Sequence, residues 1–284
     1  MRRKGCQGSS LVGSKSQGFS LVELMISVTL GLLVISAVIS VFLGSRKSFR
    51  TSEGVSQMQE EGRFASLLIT PIIRQAGYLP DPIFTQTDPT AIFSLALNKT
   101  AIRGFNDTSP TIYPGLTSST VEANTDSIAI SFMGKDTATP PDTAMKTCLG
   151  DDVSATQIAV NVFFISQAGS NGVQSLNCYT NISLVGQALS LGTQRNEPLI
   201  AGVSNLQILY GIDTDGDRIT NIYSNAAGVA DWTQVTAIKL TVTIDSADQV
   251  NKGAADTVGV VNGRIRRNFS TVLQIRNRLT APVT

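Results

Sequence analysis

An unbroken apolar run near the N-terminus constrains this chain more than any other feature of its sequence. From Phe19 to Leu43, 25 residues carry a single charged side chain, Glu23. A helix of this length rises about 37 Å, which is enough to cross the hydrocarbon core of a bilayer. The run therefore predicts one membrane-spanning helix, and its preceding flank is predicted to stay in the cytoplasm because it contains Arg2, Arg3, Lys4 and Lys15.

Glu23 distinguishes this run from an ordinary signal peptide or anchor. A secretory signal has a shorter apolar region of about 7 to 15 residues. A plain anchor fits the length but leaves a carboxylate inside the apolar run, at a cost of about 2.5 to 3.5 kcal/mol on insertion scales. We therefore expect Glu23 to be functional and to have a partner.

The residues around Glu23 resemble a known processing signal. Gly18-Phe19-Ser20-Leu21-Val22-Glu23, followed by the apolar run, is similar to the class III signal of type IV pilins and type II secretion pseudopilins. The resemblance implies that a prepilin peptidase removes residues 1–18 as a leader by cutting between Gly18 and Phe19, and methylates Phe19. It also implies that Glu23 pairs with the N-terminal amine of a neighbouring subunit and sets the register of assembly. The cut itself creates such an amine close to the carboxylate.

The helix is predicted to continue beyond the membrane. Small and large apolar residues recur at spacings of three and four and form one stripe: Val55, Met58, Gly62, Ala65, Ile69, Ile72 and Ala76. The glycine and alanine in this stripe favour packing on a globular domain of the same chain over a coiled coil. Pro71 predicts a kink or an early end near residues 67–70. We assign residues 19–77 to one long helix, with the membrane part at about 19–43.

Residues 78–284 are predicted to form a β-rich globular domain. Proline and small polar residues predict loops at 78–92 and 134–146. Between and after them are runs typical of strands: Ser127–Met133, Gln157–Ile165, Asn205–Tyr210, Thr236–Ile244 and Phe269–Arg276. The predicted class is α+β, with a long N-terminal helix covering one face of an antiparallel sheet, and this is the type IV pilin fold that the resemblance implies.

Three further stretches resemble PilW-type minor pilins. They are Ile72–Tyr78, Tyr210–Asp217 with Trp232 after it, and Leu273–Leu279. This resemblance implies a minor pilin that primes or caps a type IV pilus. The implied partners are other minor pilins, the major pilin, prepilin peptidase and the inner-membrane assembly platform. The chain would lie in the bacterial inner membrane with its C-terminal domain in the periplasm, and later in the pilus at the cell surface.

Composition excludes several other classes of function. The chain has no histidine, so catalytic pairings that need an imidazole are excluded. Its 22 basic and 21 acidic residues nearly balance, which gives no general attraction to nucleic acid. Acidic pairs such as Asp151 and Asp152 have no base or nucleophile motif beside them. We therefore expect a protein that is not an enzyme and that has no certain cofactor.

The cysteines indicate an oxidising compartment for the C-terminal part. Removal of the leader would take Cys6 and leave Cys148 and Cys178, which are 30 positions apart in a polar region. One disulfide between them fits the periplasm, and two unpaired thiols are the alternative. The pair also decides the orientation, because Arg46, Lys47 and Arg50 after the apolar run weaken the argument from charge alone.

Asp213, Asp215 and Asp217 form an acidic loop that predicts a calcium site. Three carboxylates at alternate positions with glycine nearby gather the oxygen ligands that calcium prefers. The loop departs from an EF-hand because Arg218 and Ser224 occupy the positions of its glycine and its bidentate glutamate. A solvated turn is the alternative, since aspartate and glycine are favoured in turns.

Two other functions remain open at this point. A type II secretion pseudopilin shares the same N-terminal signal. A membrane-anchored periplasmic binding module or adhesin would use the β domain to hold a ligand and the helix only as a tether.

Overall fold

The computed structural model describes residues 18–80, 100–107, 113, 116, 121–135, 145–168, 173–246, 260–261 and 263–277. Residues 1–17 of the predicted leader lie outside these residues, as do most of the predicted loops at 78–92 and 134–146. The described chain forms two compact units. We call them the N-terminal unit, which ends at Arg50, and the C-terminal unit, which begins at Thr51.

The helix α1 spans Leu21–Gln75 and contributes to both units. Every residue from Gly18 to Arg50 is exposed. In the C-terminal unit, the same helix buries the predicted stripe at Met58, Gly62, Ala65, Ile69 and Ile72, while Val55 is partly buried. The stripe and its packing on the globular domain are confirmed.

Of the two outcomes predicted for Pro71, the early end of the helix near residues 67–70 is wrong. The helix continues through Pro71 to Gln75. Pro71 is on the exposed side of the helix, whereas Ile72 and Ile73 after it are buried. Burial of these two side chains offsets the backbone hydrogen bond that proline removes, so packing overrides the local preference.

Within the described residues, the C-terminal unit contains two antiparallel five-stranded sheets rather than the single sheet predicted. The first has the order β1-β2-β3-β4-β5 and the second β7-β6-β8-β10-β9. The strands are β1 (Ile102–Phe105), β2 (Ser127–Met133), β3 (Gln157–Ser166), β4 (Ser175–Leu184), β5 (Thr193–Ala201), β6 (Val203–Ile212), β7 (Ile222–Ser224), β8 (Val235–Asp245), β9 (Val260–Val261) and β10 (Arg264–Gln274). The α+β class and the five predicted strand runs are confirmed.

The core of the C-terminal unit lies between the helix and the two sheets. All seven residues of β2 are buried, and Phe132, Phe163 and Phe164 are fully buried. On the second sheet, Phe269 of β10 packs against the helix at Gly62, where a Cβ atom would lie 2.6 Å from the phenylalanine ring. Gly62 therefore allows a close approach of helix and sheet that no larger residue permits without movement.

Asp126, directly before β2, connects the two sheets. Its backbone N–H donates to the carbonyl of Leu206 in β6 at 2.8 Å, and its carboxylate accepts the N–H of Ile208 at 2.8 Å. The carboxylate also accepts the N–H of Asp107 at 3.2 Å. Burial raises the pKa of the Asp126 carboxyl, and the two backbone hydrogen bonds oppose that rise.

Candidate functional site

The predicted processing site lies at the start of the N-terminal unit. Gly18, Phe19 and Ser20 precede the helix, and Phe19 is 78% exposed. The first helical turn is closed by the N–H of Leu24, which donates to the Ser20 carbonyl at 3.1 Å. Glu23 stands in that first turn. A carboxylate is favoured there because the N-terminus of a helix carries partial positive charge. The cleavage itself, and the methylation of Phe19, stay predictions.

Four hydroxyl groups of the apolar run are satisfied within the helix. Ser27, Ser36 and Ser40 donate to the backbone carbonyls of Glu23, Leu33 and Ser36 at 2.7, 2.8 and 2.9 Å. Thr29 donates to the Ile26 carbonyl at 2.9 Å. A polar group that is hydrogen-bonded inside its own helix costs less in hydrocarbon than one left without a partner. The helix is long and apolar enough to cross a membrane, despite these hydroxyls.

Cys148 and Cys178 form a disulfide. Their Cα atoms are 6.5 Å apart, and the bridge attaches the segment around Cys148 to β4. The N–H of Cys148 also donates to the Asn161 side chain in β3 at 2.9 Å. The disulfide and this hydrogen bond together attach the segment around Cys148 to the neighbouring strands β4 and β3.

Charged residues reinforce the disulfide region from β5. One nitrogen of the Arg195 guanidinium donates to Asp151 at 2.6 Å, and another donates to Glu197 at 2.5 Å. Lys146 and Asp152 form a further ion pair at 2.5 Å. These groups are partly exposed, so each pair contributes little alone. The Arg195–Asp151 pair attaches residues 145–153 to β5, and the disulfide attaches them to β4.

The acidic loop brings its three carboxylates together at the end of β6. One oxygen from each of Asp213, Asp215 and Asp217 lies within 4.8 Å of the others. However, Asp213 is buried, and its carboxylate accepts the N–H groups of Gly216 at 2.7 Å and Arg218 at 2.9 Å. These bonds are those of a structured turn. The residues have the right type and spacing for calcium, and calcium binding stays a prediction.

Two protein-family models match this chain, one near its N-terminus and one over its C-terminal part. The model of the Type IV Pilus-assembly protein W family matches residues 162–277, which include β4 to β10. The model of the prokaryotic N-terminal methylation motif matches residues 13–39, which include the predicted cleavage site and Glu23. The chain is a PilW-like type IV pilin. The pilin is anchored in the membrane by its apolar helix, and the family matches indicate a structural rather than an enzymatic protein.

One solved structure that is similar to this pilin is a type IV-like pilin from Thermus thermophilus. The two have 12% sequence identity and a TM-score of 0.40, over 78% of this chain and 98% of the other. The comparison with curated proteins gives no match.

Sequence reasoning missed two groups that hold the C-terminal unit of this pilin together. Asp126 bonds to Ile208, which is 82 positions away, and Arg195 bonds to Asp151, which is 44 positions away. No local periodicity relates residues at such separations. The one signal for Asp126 is its position directly before an apolar strand run, where a lone carboxylate becomes buried.

Proposed function

We propose that this pilin is a minor subunit that joins other minor pilins at the inner membrane and starts assembly of a type IV pilus. The main support for this proposal is that one chain combines the pilus-assembly match over residues 162–277 with the methylation motif over residues 13–39. In this proposal prepilin peptidase cuts after Gly18 and methylates Phe19, and Glu23 pairs with the amine of a neighbouring subunit. The assembly platform then transfers the subunit into the pilus with the major pilin.

The exposure of the N-terminal unit supports an assembly role. Large apolar side chains such as Leu33 and Val41 are 65% and 71% exposed. Apolar surface of this extent needs an apolar environment, which lipid provides before assembly and other pilin helices provide afterwards. A tether for a binding module needs only the lipid environment.

Deletion of the gene and complementation test this proposal. We expect the deletion strain to lose surface pili and twitching motility while it keeps exoprotein export. The wild-type gene restores both, and so does Glu53→Gln, which removes an exposed helical carboxylate of the C-terminal unit. Glu23→Gln does not restore them.

Other outcomes identify the alternatives. Loss of export with intact pili would indicate a type II secretion pseudopilin. Intact pili and export with loss of surface attachment would indicate an adhesin or binding module. Full rescue by Glu23→Gln would contradict the pairing of Glu23 with a neighbouring amine.

A further inference from the structure

Three cations follow the membrane-spanning run directly, and no function above uses them. They are Arg46, Lys47 and Arg50, and all three are exposed. The segment 44–50 contains no acidic residue. At 3.6 residues per turn, these three positions fall within about 100° of the helix circumference. One side of the N-terminal unit therefore carries concentrated positive charge where the apolar run ends.

Arg46 shows how this charge meets the apolar surface. Its guanidinium carbon lies 5.3 Å from the centroid of the Phe42 ring, one helical turn back toward the N-terminus. Helical side chains lean toward the N-terminus, so the arginine returns toward the last turn of the apolar run. Basic residues at a membrane interface typically pack the aliphatic part of the side chain on apolar surface and keep the charged group at the edge of that surface.

We propose that Arg46, Lys47 and Arg50, the basic belt, bind the phosphate groups of anionic phospholipids and set the depth of the helix in the membrane. The charges are complementary, because anionic lipid surfaces attract Lys and Arg close to a membrane span. The location is also suitable, because the belt begins three residues after Leu43, the last residue of the apolar run.

The depth that the belt imposes places Glu23 at the opposite edge of the hydrocarbon. A core about 30 Å thick takes about 20 helical residues. Counted back from Leu43, these residues end at Leu24, so Glu23 lies at the boundary and the Gly18–Phe19 bond lies beyond it. The peptide bond to be cut is then in an aqueous or headgroup region.

The position that the apolar run alone favours differs from the position that the belt imposes. The run from Phe19 to Leu43 is centred on Gly31, and a core of about 20 residues around that centre would extend from about 21 to 41. Glu23 would then be inside the hydrocarbon. The belt thus moves the helix by roughly two to three residues and brings the carboxylate out.

Cysteine reactivity in vesicles measures this displacement. The full chain carrying Cys6→Ser and either Val22→Cys or Val28→Cys is reconstituted in phosphatidylcholine with or without phosphatidylglycerol. N-Ethylmaleimide crosses the bilayer but modifies a hydrated thiolate, so its rate reports water at each position in either orientation. Cys148 and Cys178 do not interfere because they are bonded to each other.

Three sets of substitutions distinguish an effect of the basic belt from an effect of the total positive charge of the chain. The belt variant carries Arg46→Gln, Lys47→Gln and Arg50→Gln. A matched control removes three exposed cations of the C-terminal unit by Arg63→Gln, Arg74→Gln and Arg267→Gln. A second control keeps the charge, with Arg46→Lys, Lys47→Arg and Arg50→Lys.

With phosphatidylglycerol, we expect Val22→Cys to react about tenfold faster than Val28→Cys, because only the former is hydrated. Loss of the belt, or omission of phosphatidylglycerol, is expected to slow Val22→Cys about fivefold or more as it enters the hydrocarbon, and neither control slows it. An unchanged rate after loss of the belt, or an equal loss in the matched control, would overturn the proposal. The inference rests on the membrane anchor and not on the proposed priming role, and vesicles without other pilus proteins keep the two tests separate.

Discussion

The two units of this pilin contain parts of one helix, but they differ in what covers its apolar side chains. In the N-terminal unit all described residues are exposed, although most are apolar. In the C-terminal unit the helix buries Ile69 and Ile73 completely against its own chain. Burial of apolar surface stabilises a helix wherever the cover comes from. The C-terminal unit supplies that cover itself, and the N-terminal unit has to obtain it from lipid or from other subunits.

Because of this difference, we expect the stability of the protein and its assembly to depend on different units. Changes in the C-terminal unit should alter its free energy of unfolding, and changes before residue 50 should alter processing or membrane position instead. The single tryptophan, Trp232, allows the first quantity to be followed by fluorescence, because its ring lies 4.8 Å from that of Tyr210 in the C-terminal unit.

The largest effect is expected from Gly18→Ala. A side chain at this position crowds the bond that prepilin peptidase is predicted to cut, so processing and pilus assembly should be abolished. Mass spectrometry of the membrane-bound chain would show an intact leader instead of methylated Phe19. Gly13→Ala serves as the control and should be processed normally. A mature product from Gly18→Ala would refute the predicted junction. A change in the urea concentration at the midpoint of unfolding would contradict the expectation that substitutions before residue 50 leave the stability of the C-terminal unit unaltered.

Loss of the disulfide should have the largest effect on the C-terminal unit. In the loop-closure account, a bridge across 30 positions contributes about 3 to 4 kcal/mol to the free energy of unfolding. Cys148→Ser with Cys178→Ser should therefore lower the urea midpoint of the detergent-solubilised chain, followed by Trp232 fluorescence. Cys6→Ser is the control and should leave it unchanged. Equal midpoints for all three proteins would show that the bridge does not stabilise the unit.

Two glycines of the helix test how closely it packs on the second sheet. A Cβ atom at Gly62 would lie 2.6 Å from the Phe269 ring, whereas one at Gly54 would lie 3.7 Å from Ser246. Gly62→Ala should lower the free energy of unfolding by about 1 to 2 kcal/mol because the ring has to move. Gly54→Ala should raise it by about 0.5 to 1 kcal/mol because alanine favours a helix. Stabilisation by both changes would mean that the helix and β10 are less closely packed.

Calcium should give the smallest effect. If the acidic loop binds calcium, an ion concentration about five times the dissociation constant would stabilise the C-terminal unit by about 1 kcal/mol. Asp215→Asn with Asp217→Asn should remove the shift, and these two exposed residues leave the buried turn at Asp213 in place. The measurement is the Trp232 melting curve with and without millimolar calcium. An identical curve for the wild-type chain would dispose of the site.

The elements that the sequence predicted well are those with a local signal. The stripe of the helix and the strand at 127–133 agree with the structure because apolar spacing over neighbouring residues reflects the faces that are buried. The strands β4 and β5 escaped prediction because they are rich in Ser, Asn, Thr and Gln. Their pairing is specified by the strand beside them, by the disulfide and by the ion pairs of Arg195.

The candidate sites also divide into features that consecutive residues define and features that depend on distant residues. The sequence alone determined the membrane-spanning run, the candidate cleavage junction and the position of Glu23 in the first helical turn, because each depends on consecutive residues. It also brought Asp213, Asp215 and Asp217 close together, since a single turn contains all three.

Only the tertiary structure decided that the described strands form two sheets and how these sheets are joined. The bond from Ile208 to Asp126 and the approach of Phe269 to Gly62 connect residues that are far apart in the chain. Such contacts depend on strand register and on the geometry of packed side chains, and neither is encoded in any short stretch of residues. The same reason explains why Pro71 did not end the helix: its cost is local, and the burial that offsets it comes from the rest of the C-terminal unit.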